Sequence, residues 1–259
     1  MCICDQKQQK NEEAEKVSKA SMFNLKTIYR KITLLVIVLL FINVNGTVPG
    51  SLNNHAVNDA SVSKEELYIA SVKDRAHERL VTEVGNYIYS MAPESGLNPE
   101  MVVSVCEKYD LNIIFVLAQG LLESHFGTKG VAARTNSVWN VGTYDNGVIM
   151  YSYKDPNESI EPYAKLVYDD YLLRTDPAKT GKTITHLLQD RGFVNYAGNR
   201  YASAKGYENA LRKLMVKIDM QTSINMLQSI RTLPDEDVLT FFGPIESRTA
   251  EEHSFYAQN

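Results

Sequence analysis

Cysteine is scarce: three in 259 residues, and two of them, Cys2 and Cys4, precede the most apolar run of the chain. Only Cys106 is left in the body, which excludes a disulfide framework there. It lies in an apolar helical pattern and is expected to be simply buried. Charge of one sign is scarce too. A formal charge of −4 gives no electrostatic ground for binding nucleic acid. The five histidines show no HExxH or other paired spacing, so neither a catalytic metal nor a cofactor is expected. No nucleophile elbow is present, which disfavours a serine or cysteine hydrolase. No internal repeat is found. What remains, 44% hydrophobic and 22% charged residues, fits one good-sized globular domain with appendages.

The one long apolar run is Ile32–Ile42 (ITLLVIVLLFI), preceded by Lys26, Arg30 and Lys31. Its eleven residues suit a secretory signal and fall short of the ~20 that span a bilayer. Val44 and Gly46 are small enough for cleavage. The polar stretch Met1–Ser21 is long for a signal, so either Met22 is the start or the run, extended through Val48, is an uncleaved tether to the membrane. Both versions export the chain. The expected organisation is a polar and basic segment (1–31), the signal or anchor (32–48), a linker (49–63), a domain (64–230) and a polar tail (231–259).

Within the domain, helical spacing starts at Lys64 and carries Leu80, Val84, Ile88 and Met91. Pro93 to Pro99 breaks it, and Asn98-Pro99 starts a short helix through Glu107. Val138–Tyr144 and Val148–Tyr153 flank Asp145-Asn146-Gly147 and predict a β-hairpin. Helices follow over Ser159–Leu173, Thr183–Gln189 and Tyr207–Ile230. The polar tail, apart from Phe241-Phe242, is given no role.

The most informative stretch is Asp110–Gly127, DLNIIFVLAQGLLESHFG. Asp110 is the expected N-cap and Gly127 or Gly130 the stop. Glu123 is the lone carboxylate in its last turn. Burial and the negative end of the helix dipole would both raise its pKa, as general-acid chemistry requires. An ordinary amphipathic helix would instead turn Glu123, Gln119 and Asn112 to water.

A helix ending in a lone Glu beside a hairpin lobe resembles the lysozyme-like fold, mainly α with a small β lobe. The local residues narrow this. Ala118-Gln119, Leu122-Glu123-Ser124 and Phe126-Gly127 resemble the AQ…ES.WG signature of glycoside hydrolase family 73, the peptidoglycan N-acetylglucosaminidases. Thr135–Gly142 (TNSVWNVG) is similar to that family's NNLFGIK segment. Tyr151-Ser152-Tyr153 with Glu158-Ser159 and Tyr163 resembles its F-x-x-Y…ES…Y stretch. Tyr201-Ala202-Ser203 with Tyr207 resembles its YATD…Y motif, with Ala204 in place of the Asp.

The resemblance implies a peptidoglycan hydrolase with Glu123 as general acid, acting on glycan strands. The family's second carboxylate has no counterpart at a matching position. Asp145 is the nearest substitute, although Asp-Asn-Gly is also what a hairpin turn asks for. Glu158 is the other, although a Glu there also suits a helix start. Tyr201 matches the cleft tyrosine. Gln119 and Asn136 are expected to contact substrate or cleft backbone, and Trp139 and Tyr196 to stack on sugars, with core packing the competing use of the aromatics. Two other functions fit the pattern less closely. A muramidase or lytic transglycosylase would carry a GLMQ-like stretch where TNSVWNVG stands. A non-catalytic cell-wall-binding module would explain the missing carboxylate.

Overall fold

The computed structural model describes residues 63–144, 146–175 and 181–243. The expected signal or anchor, the linker, Asp145 and most of the tail lie outside these residues. No described helix is long and apolar enough to cross a membrane.

Nine α-helices make up most of the described residues. The first, α1 (Lys64–Met91), opens on a capping box in which the Ser63 Oγ accepts from the Glu66 N–H and the Glu66 carboxylate accepts from the Ser63 N–H. Its inner face is Ile69, Val72, Ala76, Leu80, Val84 and Ile88, all buried and all at helical spacing. Helix α2 (Pro99–Lys108) starts as predicted, with the Asn98 side chain accepting from the Glu100 N–H. It crosses α1 closely at Gly85, where a Cβ would come 3.0 Å from the Pro99 ring.

Helix α3 (Ile113–Ser124) is buried almost all round, from Ile113 through Gly120. The N-cap is Asn112 and not Asp110: Asn112 Oδ1 accepts from the Phe115 N–H at 2.9 Å. Asp110 instead sits in a left-handed turn, φ 46, and takes the Arg174 guanidinium on its carbonyl and carboxylate. The helix also ends earlier than its glycines suggest. His125, Phe126 and Gly127 all have positive φ, so the reversal starts two residues before the glycine.

Of the expected hairpin only a fragment is found among the described residues. The described residues hold no strand there, only an isolated antiparallel bridge between Thr143 and Ile149. Around it the Tyr144 N–H donates to the Val148 carbonyl and the Met150 N–H to the Gly142 carbonyl, at 3.0 and 2.8 Å. The reason lies in the preceding residues. Val138 and Trp139 are both buried, and Asn136, Asn140 and Gly142 take positive φ, so 136–142 is a chain of turns with no room for alternation. A short helix, α4 (Ala132–Thr135), precedes it.

The next predicted helix is assembled from three pieces. A 3₁₀ turn (Pro156–Ser159) leads into α5 (Ile160–Leu166), which widens to a π-turn over Val167–Tyr171. Helix α6 (Ile184–Leu187) is a single turn. The predicted long C-terminal helix is two, α7 (Tyr207–Gln221) and α8 (Ile224–Thr232), broken where Thr222 is extended. The tail is not wholly without structure: α9 (Asp235–Phe242) buries Val238, and its Phe242 carbonyl accepts from the Tyr68 hydroxyl of α1. Helix α3 packs against α2, α7 and α8, while α1 packs against α2, α8 and α9. Cys106 is buried and free, as expected.

Candidate active site

The C-terminal end of α3 meets three other segments. Ser124 fixes the junction: its hydroxyl donates to the Val138 carbonyl at 2.6 Å and accepts from the Gly127 N–H at 2.8 Å. The adjacent Glu123 is half-buried and held on both oxygens. Oε1 accepts from the Tyr207 hydroxyl at 2.5 Å, and Oε2 from Asn140 Nδ2 at 3.0 Å. The same Asn140 nitrogen also donates to the Glu123 carbonyl.

Burial pushes the Glu123 carboxyl above the usual carboxylate range, and the hydrogen bonds from Tyr207 and Asn140 pull part of the way back. No charged side chain among the described residues acts on it. The carboxyl therefore keeps its proton to a higher pH than a surface Glu. Beside it, the Tyr207 hydroxyl is pushed far up by burial and then by the Glu123 charge, which keeps it a donor at any physiological pH.

A buried aromatic layer supports the pair. Tyr207, Tyr201, Phe193 and Tyr171 follow one another, with ring centroids 6.2 Å apart for Tyr207–Tyr201 and 4.8 Å for Tyr201–Phe193. Tyr201 does not touch Glu123. Its hydroxyl donates to the Trp139 carbonyl at 2.6 Å, which ties the loop after Phe193 to the turns before the lobe.

Gln119, expected to face substrate, is 0% exposed. Its Oε1 accepts from the Tyr163 hydroxyl at 2.6 Å, and its amide nitrogen lies near the Tyr207 hydroxyl without closing a well-formed hydrogen bond. Gln119 is thus support for the tyrosines, a correction to its expected role. Trp139 is corrected likewise. It is 1% exposed, stacked on Tyr163 at 4.5 Å, and its Nε1 donates to the Val116 carbonyl, which leaves no ring face for a sugar. Gly120 makes that possible, since a Cβ there would press on the indole nitrogen at 3.2 Å.

Asn136 holds cleft backbone: its Nδ2 donates to the carbonyls of Tyr153 and Lys154, at 2.9 and 3.1 Å. Tyr196 is 63% exposed on the loop after α6. The exposed Glu158 carboxylate accepts from the Lys154 N–H and so caps its own turn. Asp145 lies outside the described residues. No cluster of potential metal ligands occurs among the described residues.

Two partners of Glu123 were not singled out from the sequence. Tyr207 lies in the YATD…Y-like motif, in which Tyr201 is the match to the cleft tyrosine. Asn140 had one local signal, an Asn suited to a left-handed turn position, where it has φ 52.

Residues 99–220 match the family model Glucosaminidase, described as mannosyl-glycoprotein endo-beta-N-acetylglucosaminidase. The match starts at the first residue of α2 and stops one residue before the end of α7, so it spans every element around Glu123. No curated protein matches the chain. The domain that holds Glu123 belongs to the glucosaminidase family of glycoside hydrolase family 73, and the chain is a glycosidase of the endo-β-N-acetylglucosaminidase type.

Proposed function

We propose that the chain cleaves peptidoglycan strands at N-acetylglucosaminyl bonds, with Glu123 as the general acid. The observation that carries this is the carboxyl itself: half-buried at the end of α3, with a raised pKa and two neutral donors holding it. In its protonated form it gives its proton to the glycosidic oxygen as the C–O bond breaks. The carboxylate left behind is stabilised at once by Tyr207 and Asn140, whose hydrogen bonds strengthen as charge develops on it.

The group that meets the sugar cation from the other face is the open half of the mechanism. Asp145 is the proposed carboxylate. The substrate's own acetamido oxygen is the alternative, since a lone Glu can act with help from the N-acetyl group of the sugar. Asp145→Asn separates the two: a loss of two or more orders of magnitude supports the carboxylate, and near-normal turnover supports the acetamido group. We read Ile32–Ile42 as the export signal that brings the domain to the wall, which N-terminal sequencing of secreted protein would check.

Mass spectrometry of digested peptidoglycan tests the bond assignment. Products with N-acetylglucosamine at the reducing end are expected. Products ending in N-acetylmuramic acid or its 1,6-anhydro form would overturn it in favour of a muramidase or transglycosylase.

A further inference from the structure

Tyr207 reaches Glu123 only if the first turn of α7 is held in one rotation, and the usual device is missing. Gly206 stands at the N-cap with φ 79, and no side chain caps the helix. An ion pair stands nearby. Glu208, the second residue of α7, has a side chain only 2% exposed, and one Arg200 nitrogen lies 2.9 and 3.0 Å from its two oxygens. Arg200 comes from the loop that bridges to Val194 and continues into Tyr201, whose hydroxyl is anchored on Trp139. The pair therefore clamps the helix start to a loop already fixed to the core.

A buried ion pair rarely adds net stability, because desolvating both charges offsets their attraction. Its geometric effect is more definite. Tyr207 and Glu208 are consecutive on a helix, about 100° apart around its axis, so fixing one side chain sets the direction of the other. Gln119 adds only a weak restraint, since its amide nitrogen lies near the Tyr207 hydroxyl without closing a well-formed bond. We propose that the Arg200–Glu208 pair is a positioning device that holds Tyr207 against Glu123. The proposal rests on Glu123 being the acid.

Among the described residues, the titratable groups that face Glu123 are the hydroxyls of Tyr207, Tyr201 and Tyr163. Of these, Tyr207 alone donates to it. Freeing Tyr207 removes a donor that favours the carboxylate, so Glu123 should titrate at higher pH and activity should persist further into the alkaline range, at a lower maximum.

The experiment follows the Glu123 carboxyl by ¹³C NMR titration in the full chain and measures kcat on peptidoglycan across pH. Glu208→Gln and the double variant Arg200→Met/Glu208→Leu, which strands no charge, are compared with Tyr207→Phe. Each is expected to move the Glu123 titration upward, in the same direction as Tyr207→Phe, and to lower kcat about tenfold with KM within about twofold. Added to Tyr207→Phe, the double variant should shift nothing further. Folded pair variants that titrate and turn over like wild type would overturn the proposal, whatever happens to Tm. Should those variants not fold, Arg200→Lys carries the same two readouts with a smaller expected shift, and its absence counts equally against the pair. If wild type cleaves nothing, or Glu123→Gln is fully active, the reading of Glu123 fails instead, and the titration still decides the clamp.

Discussion

The helical body around α3 and the 142–151 lobe beside it are built on opposite terms. In the body, Trp139, Tyr163, Phe115 and Phe126 are fully buried, and ring contacts and side-chain hydrogen bonds tie four segments to the end of α3. In the lobe, Tyr144, Val148, Ile149, Met150 and Tyr151 are 42–57% exposed, and one bridge joins the two arms. Glu123, the proposed acid, belongs to the first region. A general acid must keep a fixed geometry and a dry environment, both of which come from packing density. The lobe has few buried contacts to lose and should open more readily than the body.

Three substitutions sharpen that contrast, and the largest effect is expected at the packing centre. Trp139→Ala should destabilise the domain by about 3–5 kcal/mol, the usual cost of a large buried aromatic, while Met150→Ser should stay within about 0.5 kcal/mol. Urea unfolding of both variants checks this, and equal losses would erase the distinction between the regions. Tyr207→Phe comes next. It should cut kcat roughly ten- to a hundredfold and move the alkaline limb of the pH–rate profile upward, because a donor to the charged form is lost. Hydrogen exchange gives the smallest and most local contrast: the amides of Tyr144 and Met150 should exchange well ahead of those of Phe115 to Gln119. Matching protection factors would mean that the lobe is as rigid as the body.

Stability against pH carries its own signature. The folded pKa of Glu123 lies above its unfolded value, so the folded state favours the protonated form. Below the unfolded pKa there is no penalty. As pH rises through the folded pKa, the buried charge costs stability in full. The Tm of Glu123→Gln relative to wild type should therefore rise between acid and neutral pH. A constant difference would place Glu123 in a solvent-like setting.

The sequence made the helices legible where a cap and a periodic face coincide. Asn98 at the start of α2 and the Leu80–Ile88 face of α1 are such cases, whereas the Ser63 capping box emerged only from the structure. It misled where tertiary contacts override local preference. The segment 138–144 alternates well enough for a strand, yet Val138 and Trp139 are drawn into the core, and the backbone turns to let them in. The polar stripe of α3 misled in a related way. Its spacing turns Gln119 to water or substrate, but in the fold Gln119 is buried under the Tyr163 hydroxyl, and an amide covered in this way leaves no periodic mark. Glu123 stands out in the sequence as the candidate acid because ordered motifs accompany it. Its partners Asn140 and Tyr207 lie 17 and 84 positions away, and only the folded chain brings them together.

The central claim is that one carboxyl at the end of α3 does the acid chemistry, and the most direct measurement is reducing-end release from purified peptidoglycan by wild type and Glu123→Gln. The two proteins would be compared at equal folded concentration, verified by circular dichroism. The glutamine cannot donate a proton to the glycosidic oxygen, so turnover should fall by about 10²–10⁴-fold while the fold is kept. A folded Glu123→Gln that releases reducing ends at the wild-type rate would contradict the account.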